Sequence, residues 1–81
     1  MLIKSRGKIT NSAVVFDSPC WYLGISTSAT YDVWDSPTSD TTGDIEVDYA
    51  AAAGSYSPGP IWCAKGIYIA ITGNFVAWYA L

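Results

Sequence analysis

Along this 81-residue chain apolar positions return at every second residue, the period of a pleated strand and not of a helix. The clearest stretch is Asp44-Ile45-Glu46-Val47-Asp48-Tyr49, where acid and apolar residues alternate without a break. It predicts a strand with Ile45, Val47 and Tyr49 turned inward and Asp44, Glu46 and Asp48 in a solvated row, whose charge also discourages further pairing. Runs of β-branched and aromatic residues predict further strands over 13–17, 20–26, 30–35, 61–64, 67–72 and 75–80, with 7–10 as another candidate. Turn chemistry separates them at Ser18-Pro19, Ser36-Pro37, the polar run 38–43, Gly54 and Ser57-Pro58-Gly59-Pro60. Gly73-Asn74 tolerates the positive φ of a two-residue turn, so strands 67–72 and 75–80 are expected to pair as a hairpin. The alanines after Tyr49 are too few to nucleate a helix and read as strand end and loop. The pattern predicts an all-β fold, a small antiparallel β-sandwich or jelly roll of seven to eight short strands.

A domain of this length has a marginal core and calls for outside support from a disulfide, a metal or oligomerisation. Zinc lacks its usual ligands, because the chain has no histidine and only two thiols, Cys20 and Cys63. Those two sit in strand-like runs that could be neighbours in a sheet. Both a Cys20–Cys63 bridge and a pair of buried free thiols fit the sequence. The first residues show no apolar stretch followed by a small-residue cleavage site, so export is not expected and a reducing compartment is.

The charges are unevenly placed. Lys4, Arg6 and Lys8 crowd the first eight residues, and the rest of the chain sets seven acids against the single base Lys65. The chain therefore divides into a basic N-terminal arm, 1–8, and one domain, 9–81, whose acidic surface argues against nucleic acid as a partner. Asp35, Asp40 and Asp44 flank a Ser/Thr/Gly loop and invite comparison with a calcium site, but match no EF-hand register and read as a solvated loop. The acid row of 44–48 likewise reads as a wet strand face before it reads as a cation site.

Catalytic chemistry finds no foothold. A Ser or Cys nucleophile has no histidine base, and no strand-turn-helix with a glycine-rich phosphate loop occurs. No enzyme activity, cofactor, metal or small-molecule substrate is expected. The segment 61–81 approaches the length of a membrane-spanning helix, but Lys65-Gly66 and Gly73-Asn74 interrupt it and Ile67, Ile69 and Ile71 alternate as in a strand, so no membrane span is expected.

Aromatic side chains are in excess: four Trp, six Tyr and two Phe. Trp21 beside Tyr22, and Trp78 beside Tyr79, put large rings on both faces of their strands, whereas a two-layer sandwich covers only one. The other face calls for a cover, and another protein subunit supplies it most directly. Trp21, Trp34, Trp62, Trp78 and Tyr79 are the expected anchors, with Lys4, Arg6 and Lys8 on an arm that reaches a neighbour.

The stretch Gly66-Ile67-Tyr68-Ile69-Ala70-Ile71-Thr72-Gly73 followed by Phe75-Val76-Ala77-Trp78-Tyr79 resembles the ending of small virion-associated β-domain proteins of tailed bacteriophages. Ser18-Pro19-Cys20 with Tyr22-Leu23-Gly24 is similar to a strand-turn of the same proteins. The resemblance covers about a quarter of the chain and carries no individual site. It implies a copy-rich virion structural protein: a capsid decoration or cement protein, or a fibre or neck component, assembled in the bacterial host cytoplasm. Expected partners are other copies of itself, a trimer foremost, and virion proteins such as the major capsid protein. The alternative is a tail or fibre-tip module in which Trp34 and Tyr56 contact a host-surface glycan or receptor.

Overall fold

The β-branched and aromatic runs, cut by glycine, proline and polar turns, fold into ten strands in the computed structural model, which describes residues 2–81. They are β1 (Ile3–Ser5), β2 (Ile9–Thr10), β3 (Ala13–Phe16), β4 (Cys20–Thr27), β5 (Tyr31–Asp35), β6 (Ile45–Ala50), β7 (Gly54–Tyr56), β8 (Ile61–Cys63), β9 (Ile67–Ile71) and β10 (Asn74–Ala80). Two of them, β1 and β7, are short pieces that alternation alone does not flag. One sheet has the order β1-β10-β4-β7, with β2 also pairing β10 and β8 also pairing β4; the other has the order β3-β9-β5-β6. All the pairings are antiparallel.

The sheets pack face to face as a β-sandwich. Phe16 stacks on Tyr79 with ring centres 4.8 Å apart, placing β3 over β10, and Tyr31 meets Tyr56 at 5.7 Å, placing β5 over β7. One lateral edge of the sandwich therefore carries β1, β2 and β3; the opposite edge carries β6, β7 and β8. Between the layers lie Val15, Tyr22, Ile25, Val33, Ile67, Ile69, Ile71, Phe75, Ala77 and Tyr79 with the two cysteines.

The segments expected to form a hairpin go to different sheets. β9 pairs with β3 and β5, whereas β10 pairs with β1, β2 and β4. Side-chain parity explains the crossing. A two-residue turn at 73–74 would put Ile71 opposite Val76 and Ile69 opposite Trp78, leaving Phe75 and Tyr79 on the other face. Passing from one sheet to the other instead lets Ile67, Ile69, Ile71, Phe75, Ala77 and Tyr79 all enter one core. Gly73 makes the passage at φ 153°, where a Cβ would lie 3.0 Å from both Ala29 Cβ and Ser28 Oγ.

β6 also departs from strict alternation. Val33 pairs with Asp48 and Trp34 with Glu46, so Val47 is an extra residue and the strand is bulged there. Beyond the bulge the parity is reversed: Asp48 enters the sandwich beside fully buried Val33, and Tyr49 faces out. Of the three residues expected inside, only Val47 packs against the core; Ile45 is 69 % and Tyr49 72 % exposed.

The basic N-terminal stretch is not a free arm. Ile3–Ser5 hydrogen-bonds to the last strand with Ile3 opposite Ala80 and Ser5 opposite Trp78, and Arg6 Nη1 donates to the carbonyl of Val14. Met1 lies outside the described residues. The apolar segment 61–81 forms β8, β9 and β10, and no helix among the described residues is long and apolar enough to cross a membrane.

Candidate interaction surface

Three of the four tryptophans converge on the outer face of the β1-β10-β4-β7 sheet. Register places Ile3, Ala80, Trp21 and Trp62 in one cross-strand row, Ser5, Trp78 and Gly24 in the next, and Val76, Ser26 and Ser55 in the third. No charged residue stands in these rows. A bulge at Leu23 permits the arrangement. Trp78 pairs with Gly24 and Tyr79 with Tyr22, so Leu23 has no partner, and Tyr22 and Ile25, three residues apart, both point inward and are fully buried. Trp21 meets Trp62 edge to face at 5.1 Å. Trp62 is 50 % and Trp78 38 % exposed, so neither is covered by its own fold.

The other predicted residues are dispersed. Trp34 lies on the outer face of the opposite sheet, in the row Val14, Tyr68, Trp34 and Glu46. Tyr79 is a core residue stacked on Phe16 and not an interface anchor: adjacent residues alternate across a strand, so exposing Trp78 buries Tyr79. Tyr56 is no free ligand contact, because its ring packs on Tyr31 and its hydroxyl donates to the Ala52 carbonyl at 2.9 Å. Lys4, Arg6 and Lys8 are exposed along the β1–β3 edge and make no salt bridge among the described residues.

The expected acid row is taken apart. Asp44 pairs with Lys65, whose ammonium holds its carboxyl below the ordinary value. Glu46 stands outside next to Asp32; slight desolvation and then the Asp32 charge raise its carboxyl. Asp48 Oδ2 accepts the hydroxyls of Tyr22 at 2.8 Å and Tyr31 at 3.0 Å. Asp35 accepts the backbone N–H groups of Ala64, Lys65 and Gly66, and Asp40 accepts that of Thr42. Each loop acid thus has its own partner, and among the described residues no three Asp, Glu or Cys side chains converge as a metal set would.

Cys20 and Cys63 are register partners on β4 and β8, both fully buried and both free thiols. Burial, with the Asp35 charge adding to it, pushes Cys20 up to about 11 and Cys63 up to about 12, which keeps them protonated and unreactive.

Comparisons with protein-family models, with curated proteins and with solved structures give no match for this chain.

Proposed function

We propose that the protein is a non-enzymatic structural part of a tailed-bacteriophage virion, a capsid decoration or cement protein whose copies assemble and pack against neighbouring virion subunits. The observation that supports this reading most is the uncharged tryptophan face. Exposed Trp62 and Trp78, with Trp21 behind them and serine and valine beside them, have the composition of an interface core, from which charge is depleted and in which tryptophan is enriched. The sandwich measures 29 × 26 × 19 Å, so one broad face offers about the 800 Å² per partner of a standard protein interface. A second protein against this face removes apolar area from water without burying an unpaired charge. The adhesion reading draws on the same rings, since exposed indoles also stack on sugars, with Ser26, Ser55 and Lys8 at one end of the face to meet hydroxyls.

Mass spectrometry of density-purified phage particles tests the proposal. Peptides of this chain should remain with the particle through purification at a copy number comparable with the shell subunits. Recovery solely in the soluble lysate fraction would refute a virion role, and recovery at a few copies per particle would favour the fibre-tip reading.

A further inference from the structure

The two lateral edges of the sandwich differ in charge. The β1–β3 edge carries three bases, Lys4, Arg6 and Lys8, with Asp17 as its one acid; the rest of the fold carries six acids and Lys65. Arg6 is held on that edge by its hydrogen bond to the Val14 carbonyl, and β1 is the terminal strand of its sheet. At the far side, Asp32 on β5 and Glu46 on the terminal strand β6 stand together on the outer face of their sheet, and the one salt bridge among the described residues, Lys65–Asp44, does not involve them.

Apart from Trp62 and Trp78, the large exposed apolar side chains lie toward these two sides. Leu2, Ile3 and Leu81 lie together at the basic edge, where the Leu81 N–H donates to the Leu2 carbonyl at 3.3 Å. Ile45 and Tyr49 are the exposed apolar residues of β6. The basic edge thus has an apolar patch beside its charges, while on β6 Tyr49 shares a row with Asp32 on the outer face and Ile45 lies on the other side of the strand.

We propose that copies of this chain associate head to tail, the basic β1–β3 edge of one seated against the acidic β5–β6 edge of the next. Charge selects this pairing. A two-fold contact through the β1 edges would set three bases against three, and one through the β6 edges would set acid against acid, whereas the heterologous contact joins opposite signs and covers the exposed Leu2, Ile3 and Leu81. Asp32 and Glu46 then gain the cations that their own fold does not supply. A heterologous contact repeats around a closed ring when its rotation permits, and the uncharged tryptophan face is left free to meet a different subunit. This inference rests on the structural role proposed above and specifies its self-contact.

The test is the solution mass of the full chain by light scattering, with circular dichroism as a control for folding. Raising salt from about 50 mM to about 500 mM shortens the screening length severalfold and should shift the oligomer toward monomer; this step needs no variant. K4E/R6E/K8E and D32K/E46K should each be monomeric, and the five changes combined in one chain should restore the parent mass, because the signs are then exchanged. An oligomer whose mass ignores salt and both reversals would overturn the head-to-tail contact while leaving the structural role in place. A monomer at all salt and protein concentrations would overturn the contact together with self-assembly.

Discussion

Tyr22 reaches from β4 in one sheet to Asp48 on β6 in the other, its hydroxyl donating to Oδ2 at 2.8 Å. Tyr31 donates to the same oxygen at 3.0 Å. A carboxylate that accepts two phenols satisfies the only polar atoms of two large core side chains, and it links the layers where the bulge at Val47 has turned Asp48 inward. Asp48→Ala leaves both hydroxyls unpaired and should cost about 2–4 kcal/mol, whereas Asp48→Asn keeps a neutral acceptor and should cost about 1–2 kcal/mol. Urea unfolding measures both, and equal losses in the two variants would argue against a charge-assisted link.

The alkaline side of the stability profile should be steep. Tyr22 and Tyr31 are raised above their ordinary value of 10.0 by burial first and by Asp48 second, and the thiols are raised from 9.0 to about 11 and about 12. A raised group stays protonated in the folded chain after its unfolded counterpart has ionised. Its stabilisation is complete below the unfolded value and is lost as pH climbs toward the folded one. Stability should hold to about pH 8.5, then decline from the thiols and more steeply above about pH 10 as the tyrosines join. Denaturant midpoints from pH 7 to 11 check this, and Cys20→Ala/Cys63→Ala should remove the first decline and keep the second.

A core ring on β10 and a surface ring on β8 of the same sheet should differ sharply in their effect on folding. Tyr79→Ala empties a core site against Phe16 and should cost about 3–5 kcal/mol. Trp62→Ser, with half its surface already in water, should cost under about 1.5 kcal/mol while lowering retention on a hydrophobic-interaction column. A larger loss from Trp62→Ser than from Tyr79→Ala would reverse the assignment of core and surface.

Gly66 immediately precedes β9 at φ 143°, and a Cβ there would sit 2.5 Å from the Phe16 carbonyl oxygen. Its N–H bonds Asp35 and its carbonyl accepts the Ser36 N–H, so the backbone has no freedom to withdraw. Gly66→Ala should destabilise by about 2–3 kcal/mol in thermal or urea unfolding; a neutral effect would show that the β3–β9 junction relaxes.

The elements were legible in the sequence wherever a strand alternated over several residues: seven predicted runs fall on β3, β4, β5, β6, β8, β9 and β10, and the one at 7–10 contains β2. The two-sided aromatic strands were legible as well, since Trp21 and Trp78 face out exactly one residue from Tyr22 and Tyr79, which face in. Hidden were the positions where a single inserted residue resets parity. The bulge at Val47 carries Asp48 inward and Tyr49 outward, and the bulge at Leu23 gathers Tyr22 and Ile25 on one side. Both arise from pairing with a distant strand, about which a local pattern carries no information. Gly73-Asn74 misled for a related reason. Local turn chemistry allows a hairpin there, and only the need to bury Phe75 and Tyr79 together with Ile69 and Ile71 sends the chain across to the other sheet. The edge strand β1 was missed because its exposed residues, Ile3, Lys4 and Ser5, show no buried face.

The most direct test of the claim that this fold is completed by other protein is the solution mass of the intact, non-reduced chain, measured by light scattering across a concentration series at low salt. A discrete closed oligomer, a trimer or a larger ring, is expected already at micromolar concentration. A single 8.7 kDa species throughout the series would contradict it.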